Sequence, residues 1–303
     1  MKKRKAILHL RAAIIQSVRE FFISKGFLEV ETPLRIPANA PEEHIDPHQS
    51  GDFYLHTSPE ICMKRLLSRR QHDKIFQICR CWRNGERGRW HVPEFTMLEW
   101  YRTDSDYNDL MTDCAALLKW LAVACAEKNW QPRSDNLLNI LEQAATRISV
   151  QDAFLLFTDS NVQAAVSAGA FDELMVTQIE PALPKNAPVF LVDYPSGMAA
   201  LARLKPGDTQ IAERFELYLG GLELANGFSE LTDPVEQKMR FLETNQRRIK
   251  AGAAPLPLPE PFLEELAIMP ASAGIALGVD RLIMFMSGAD RIDDVVAFTP
   301  EEL

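Results

Sequence analysis

Between Phe76 and Arg102 the chain reads FQICRCWRNGERGRWHVPEFTMLEWYR, and four residues in it have chemistry to offer: Arg83, Phe95, Glu99 and Tyr101. Side chains alternate with period two along a strand. The stretch reads as a hairpin, with one strand from Phe76 to Arg83, a loop from Asn84 to Val92 and a return from Glu94 to Arg102. Arg83 then shares a face with Cys79 and Cys81, while Phe95, Glu99 and Tyr101 share one face of the returning strand. Where those faces coincide, a cation, a ring, a carboxylate and a phenol meet on one surface. That set suits an anionic phosphate, a flat base and an amine-bearing substrate. A surface hairpin with solvated arginines is the plain alternative, and the apolar framing by Phe76, Ile78 and Trp82 argues against it.

A second constellation lies in ERFELYLGGLELANGFSE, residues 213–230, where Glu216, Glu223 and Glu230 recur every seven residues. On one strand that odd spacing would alternate their faces. Gly220-Gly221 is a two-residue hairpin signal. Folding there pairs Tyr218 with Glu223 and Glu216 with Ala225, so Glu216 and Glu223 become diagonal neighbours on one face. Leu217, Leu219, Leu222 and Leu224 fill the other. Two close carboxylates repel unless a cation sits between them, and Mg²⁺ held by one or two carboxylates and by substrate phosphates fits. A solvated sheet face with glutamates spaced by chance is the alternative. The third constellation, GIALGVDRLIMFM, has Gly274 and Gly278 bracketing an apolar strand before Asp280-Arg281 opens an apolar helix. Arginine at a helix start can grip an anion; a buried helix start with one structural ion pair accounts for the stretch equally well. No GxxxxGK[ST] or GxGxxG motif is present.

These residues need a frame. Leu10, Ile14, Val18, Phe21 and Phe22 recur at helical spacing, from about residue 8, and stop at Gly26. GFLEVETP then runs extended to Pro33. A helix follows Ser58-Pro59-Glu60 with Met63, Leu66 and Leu67 inward, and residues 108–127 form another with Leu110, Cys114, Leu117, Leu118 and Leu121 on one face. Residues 134–190 are mixed, with a proline-punctuated loop at 181–188. Asp233-Pro234-Val235-Glu236 has the form of a capping box, opening a helix to about Lys250. Four prolines at alternating positions 255–261 predict a stiff extended connector. With no repeat and no composition break, the chain reads as one α+β domain over residues 1–303, built on a mainly antiparallel sheet flanked by helices.

Composition narrows the class. The 303 residues are 47% hydrophobic and 25% charged, ordinary globular values. No apolar run reaches membrane-spanning length, and His9 and Arg11 interrupt the basic, apolar opening that would otherwise suggest a signal peptide. Cysteines 62, 79, 81, 114 and 125 are scattered, and Cys79 and Cys81 have the wrong spacing for a zinc knuckle or a redox pair. A cytoplasmic setting is expected. A net charge of −9 speaks against an extended nucleic-acid face. The basic clusters Lys2–Lys5, Arg65/Arg69/Arg70 and Arg80–Arg89 read as a solvated tail and helix face. Glu42, Glu43, His44, Asp46 and His48 read as a polar loop over the site rather than a metal centre.

Taken together, these stretches resemble the signature motifs of class II aminoacyl-tRNA synthetases. GFLEVETP looks like motif 1, residues 76–102 like motif 2 and GIALGVDRLIMFM like motif 3, while ELANGFSEL and TSPE point to the lysyl branch. The match runs from about residue 8 to 299. Because the motif 1 helix begins so early, the oligonucleotide-binding barrel of lysyl-tRNA synthetases is expected to be absent. In that respect the chain is similar to the truncated lysyl-tRNA synthetase paralogues that modify elongation factor P.

The resemblance implies an antiparallel-sheet catalytic domain, activation of (R)-β-lysine or lysine with ATP and Mg²⁺, transfer to a lysine ε-amine of elongation factor P, no tRNA, and a homodimer built through motif 1. By matched position it also implies residue roles. Arg83 and Arg281 would be catalytic, gripping the phosphates, and Phe95 would stack on adenine. Asn84, Gly85, Glu86, His91, Val92, Glu223, Leu224 and Gly278 would complete the ATP site, with Glu216 and Glu223 on the metal. Ser58, Pro59, Glu60, Glu99, Tyr101, Asn226, Glu230 and Ala276 would line the amino-acid pocket. This chain departs from the family at Gly85, where a glutamate is usual, at Val92, where an asparagine is usual, and at Ala276, where lysyl-tRNA synthetases tend to have glycine. Two other readings stay open: a lysine-activating enzyme with another acceptor, and a non-catalytic regulatory paralogue.

Overall fold

The computed structural model describes residues 2–128, 130 and 136–303, with side chains described for 4–128, 130 and 138–303. The first helix, α1 (Lys2–Ser24), starts earlier than the apolar repeat suggests. It ends at Gly26, where φ is +77°, and Phe27 N–H donates to the Phe22 carbonyl at 3.0 Å. A residue without Cβ takes that left-handed turn freely. The chain then passes through β1 (Leu28–Glu29), two residues long. A small sheet follows, made of β2 (Arg35–Ile36), β3 (Gln49–Ser50) and β4 (Phe53–Leu55). Next come α2 (Glu60–Ser68) and the hairpin β5 (Lys74–Trp82) and β6 (Glu94–Thr103).

After α3 (Tyr107–Glu127) and α4 (Asn136–Glu142), β7 (Thr146–Ser149) leads into short helices. These are α5 (Val150–Phe157), α6 (Val162–Ser167), α7 (Phe171–Leu174), a π-turn (Met175–Ile179) and α8 (Glu180–Ala182). The strands β8 (Val189–Pro195), β9 (Leu204–Lys205), β10 (Asp208–Leu219) and β11 (Leu222–Ser229) follow. Then come α9 (Pro234–Lys250), α10 (Glu260–Leu266), β12 (Ser272–Gly278) and α11 (Val279–Ser287).

One nine-stranded sheet organises all of this, in the order β1-β5-β6-β12-β11-β10-β8-β7 with β9 beside β10. It is antiparallel except at its ends, where β1 pairs parallel to β5 and β7 to β8. One face is covered by α1, α3 and α11. There Phe22 stacks on Phe76 at 5.0 Å and meets Trp100 at 5.0 Å, and Leu110, Leu117, Leu217, Leu277 and Ile283 close the layer. The other face stays open in the middle. It is flanked by a cluster joining α2, α9 and α10 to Ile75 and Tyr101, and by a second joining α5 to the π-turn with Tyr194 and Tyr218.

Several expectations need correction. The first hairpin strand ends at Trp82, so Arg83 already belongs to the loop, although its N–H still donates to Pro93 at 2.9 Å. Glu216 pairs with Asn226, not Ala225, because Leu224 is an extra residue that bulges β11. The Asp233 side chain does cap α9, but Glu236 turns to Arg240 instead of closing the box. The proline connector stops at Pro259, since Pro261 sits in the first turn of α10, where its missing N–H costs nothing. Residues 134 and 135, the first two of the mixed stretch, lie outside the described residues, as do the Lys2 and Lys3 side chains.

Candidate active site

The open centre of the sheet is the floor of a cleft of about 860 Å³. The hairpin forms one wall. Its register sets Cys81 opposite Phe95, Cys79 opposite Met97, Gln77 opposite Glu99 and Ile75 opposite Tyr101. The two faces anticipated from alternation are therefore one face. At its upper end the Arg83 guanidinium lies 5.1 Å from the Phe95 ring centroid and 3.7 Å from Glu86. Arg83, Glu86, His91, Val92 and Phe95 line the cleft, and Val92 also reaches into the core beneath.

Asn84 and Gly85 do not line it. Asn84 N–H is tied to Asp46 at 2.7 Å, and Gly85 holds a φ of +76° that lets the loop turn. Farther out, the loop arginines lie outside the cleft and, although exposed, are paired. Arg87 pairs with Asp293 at 2.9 Å and Glu301 at 2.8 Å, and Arg89 donates to the Asp290 carbonyl at 2.9 Å.

The opposite wall is β11, β12 and the start of α11. Arg281 reaches the Glu223 carbonyl at 2.9 Å, Glu223 Oε2 at 3.1 Å and His91 Nε2 at 2.5 Å. Burial and that neighbouring guanidinium hold the His91 imidazole below its ordinary pKa. The residue before it explains the aim. Asp280 is buried, accepts from Arg11 at 2.6 Å and from Thr96 N–H at 2.6 Å, and so pins α11 to α1 and β6. Arg281, one residue on, is left to face the cleft with Glu223, Leu224 and Gly278.

The Leu224 bulge settles the carboxylate spacing. Tyr218 faces Glu223 while Glu216 faces Asn226, so residues three apart on β11 share one face. Bulges commonly re-aim side chains in this way beside active sites. Glu216 itself stands behind the wall, among those not lining the cleft. Arg214 meets its Oε1 at 2.6 Å, and the Tyr194 and Tyr218 hydroxyls donate to Oε2 at 2.6 and 2.7 Å. Arg214 also donates to Asn226 Oδ1 at 3.1 Å, fixing an amide that does line the cleft. As a test for Mg²⁺, this is selective. Glu223 is half-exposed and presents an oxygen, Oε1, with no protein partner among the described residues. Both Glu216 oxygens are occupied. Glu223 fits a hard cation; Glu216 would have to give up Arg214 to join it.

At the lower end lies a pocket rich in carboxylates. Glu99 is buried and accepts from Ser58 Oγ at 2.6 Å and Tyr101 Oη at 2.8 Å. Burial, with Glu60 adding to it, pushes its carboxyl well above the usual range. Ala276 lies directly across from Glu99 on one side and Asn226 on the other. Ser58, Glu60, Tyr101 and Ala276 line the cleft as expected; Pro59 instead forms the N-cap of α2. Glu230 lies deeper, behind Tyr101. A Cβ on Gly274 would overlap both the Tyr101 ring and Glu230, so only glycine admits this packing.

Lys64 is the residue the sequence reading missed. Its ammonium is buried and stands 2.5 Å from Glu60 and 2.5 Å from Glu230, so two of the carboxylates expected to line the amino-acid pocket share one cation. Burial opposes its charge, and Glu230 and Glu60 together outweigh that, so its pKa lies above the ordinary lysine value. The signal was present: a lysine four residues after Glu60, on the inward face between Met63 and Leu67. Glu42 was read only as part of a polar loop. That loop does cover the site, braced by Arg247–Glu43 at 2.7 Å and Arg248–Asp46 at 2.5 Å. Glu42 lines the cleft, and burial pushes its carboxyl up to about 7.

Beside Glu99 on the hairpin, the Cys79 thiol is held below its ordinary value, to about 6, chiefly by a hydrogen bond from Cys81 and then by His56. The arrangement as a whole offers cations for phosphates, a ring for a base and, at the far end, a buried carboxylate for an amine.

Comparison with known proteins agrees. The family model for class II tRNA synthetases (D, K and N) matches residues 1–302. A protein of Vibrio atlanticus named elongation factor P–(R)-β-lysine ligase is 38% identical, over 96% of this chain and 94% of its own length. Proteins of the same name from Salmonella arizonae (41%) and Erwinia tasmaniensis (40%) each match over 95% of this chain and 93% of their own. With a family model matched over residues 1–302 and relatives near 40% identity across nearly the whole chain, the chain belongs to the class II tRNA synthetase family of the D, K and N type.

Proposed function

We propose that this protein activates (R)-β-lysine, or lysine, with ATP and joins it to a lysine ε-amine of elongation factor P. One observation carries the reading. The cleft has an arginine-bearing end for phosphates and, at the other end, Glu99, a buried carboxylate whose hydrogen-bond donors among the described residues are hydroxyls. The relatives' names supply the acceptor.

In the first step a carboxylate oxygen of the amino acid attacks the α-phosphorus. The acyl–phosphate bond forms, the α–β bridge breaks and pyrophosphate leaves. Arg83 meets the charge that grows on the α-phosphate. Arg281 turns from Glu223 and His91 to the outer phosphates. Phe95 gives adenine a stacking surface, with Glu86, His91, Val92 and the backbone at Leu224 and Gly278 around the nucleotide. Asn84 and Gly85 act by shaping the loop. Mg²⁺ would be held by Glu223, with Glu216 behind it, and when bound supplies charge neutralisation for the phosphates.

In the second step the acceptor amine, as free base, attacks the acyl carbon. The new C–N bond forms, AMP leaves with the electron pair of the C–O bond, and one proton is released. Glu99 grips one substrate ammonium directly. Glu60 and Glu230, joined by Lys64, form the floor, and Asn226 and Ala276 shape it.

A tRNA-independent, cytoplasmic enzyme working as a homodimer belongs to the same proposal. Exposed Ile23, Leu28 and Leu34 around β1 support an interface there. Amino-acid-dependent ATP–pyrophosphate exchange tests the activation step. It is expected with (R)-β-lysine, and Ala276→Gly is expected to shift preference toward α-lysine by opening the floor opposite Glu99. No exchange with any diamino acid would favour the regulatory paralogue instead.

A further inference from the structure

Outside the nucleotide and amine sites, one cluster of ligating side chains converges among the described residues. On β5 the C-x-C spacing puts Cys79 and Cys81 on one face, with their sulfurs 4.0 Å apart. His56, from the segment between β4 and α2, lies along the edge of the same strand. Its Nε2 is 3.8 Å from each sulfur. We propose that His56, Cys79 and Cys81 are a binding site for a thiophilic transition cation, with zinc(II) as the type ion, set beside the amine pocket.

The triangle has the right size. A point equidistant from its three corners lies about 2.2 Å from each, where zinc–sulfur and zinc–imidazole bonds run about 2.3 and about 2.0–2.1 Å. Two thiolates and an imidazole select zinc over the oxygen-seeking magnesium. A fourth position is available to water or to the Arg80 carbonyl, 2.7 Å from Nε2. The imidazole is fully buried. The ligating nitrogen is Nε2, which would exchange its contact with the Arg80 carbonyl for the cation and leave the ring hydrogen on Nδ1, an atom with no partner among the described residues. A disulfide is a poor competitor. Two residues of strand rise separate the Cα atoms by about 6.7 Å, at the outer limit for the bridge of about 6.8 Å.

The position gives the site a consequence. His56 is two residues before Ser58, which donates to Glu99 at 2.6 Å, and the His56 carbonyl accepts from Trp82 N–H at 3.1 Å. Cys79 and Cys81 are the cross-strand partners of Met97 and Phe95, both in the cleft wall. A cation there would staple the Ser58 segment to the hairpin and so order the amine pocket, leaving the phosphate end alone.

Cobalt(II) added to the chelator-treated full-length protein is the direct probe. One equivalent should give thiolate-to-cobalt charge-transfer absorbance with tetrahedral visible bands, lost on adding zinc(II). Cys81→Ser and His56→Met should each abolish the saturable band, and zinc(II) should raise the melting temperature of the native protein but not of these variants. In the native protein zinc(II) should also protect Cys79 from alkylation, read by peptide mass, while leaving Cys62 reactive. This second readout needs no variant to fold. Absence of a saturable band, or its persistence in Cys81→Ser, or unprotected Cys79, would overturn the site.

Discussion

Ser58 and Tyr101 both direct their hydroxyl hydrogens at Glu99, at 2.6 and 2.8 Å, and neither brings a positive charge. Burial holds a proton on that carboxyl well above the usual range, and an arriving ammonium favours the ionised form. Amine binding should therefore expel a proton, and affinity should rise as pH rises through the Glu99 pKa. Calorimetry in buffers of different ionisation enthalpy reads that release; Glu99→Gln should abolish it. The same substitution should cost about 1.5–3 kcal/mol, roughly ten- to hundredfold in kcat/KM for the diamino acid. Proton uptake on binding would sink this account of Glu99. Lys64 carries a different expectation. Lys64→Met leaves Glu60 and Glu230 without their shared cation, a loss of about 3–5 kcal/mol in urea denaturation. The deficit should shrink at low pH, where the carboxylates protonate, and Glu230→Gln should restore part of it. Glu99 was legible from strand alternation alone. Lys64 was not, because a lysine in a helix is ordinarily read as solvated, and only the three-dimensional closeness of α2 and β11 makes it a bridge.

The hairpin strands could be placed to within two residues, since apolar alternation and the polar loop bound them on both sides. The β10–β11 hairpin was half legible. Gly220-Gly221 announced the turn, but nothing in a run of leucines announced the Leu224 bulge that brings Glu223 and Asn226 to one face. The capping box at Asp233 failed for a related reason: Arg240, one turn on, competes for Glu236. Close approach between strands can be tested at Gly274, which faces Tyr101 across β12 and β6. Gly274→Ala should push Tyr101 off Glu99, raising the KM for the amino acid by at least tenfold while the KM for ATP stays near its native value. Equal rises in both would point to general disruption of β12 instead.

For the molecule as a whole, motif order was enough to read a mainly antiparallel sheet flanked by helices, but not which face the helices cover and which carries the cleft. The stretch between α3 and β8 stayed opaque because its helices are short, all five among the described residues having eight residues or fewer, and interrupted by a π-turn. Too few turns exist there for a helical period to show. Their packing on Tyr194 and Tyr218 nevertheless buttresses Glu216 from behind. The acidic balance of the whole chain sets an expectation about the acceptor. With a net charge of −9 and the basic loop tip engaged by Asp293 and Glu301, a polyanionic RNA finds little to hold it. The most direct measurement is the intact mass of elongation factor P after incubation with this protein, ATP and (R)-β-lysine. The account predicts the gain of one β-lysyl group on a single lysine, dependent on ATP, and no aminoacylation of tRNA under the same conditions. An unchanged factor alongside charged tRNA would contradict it.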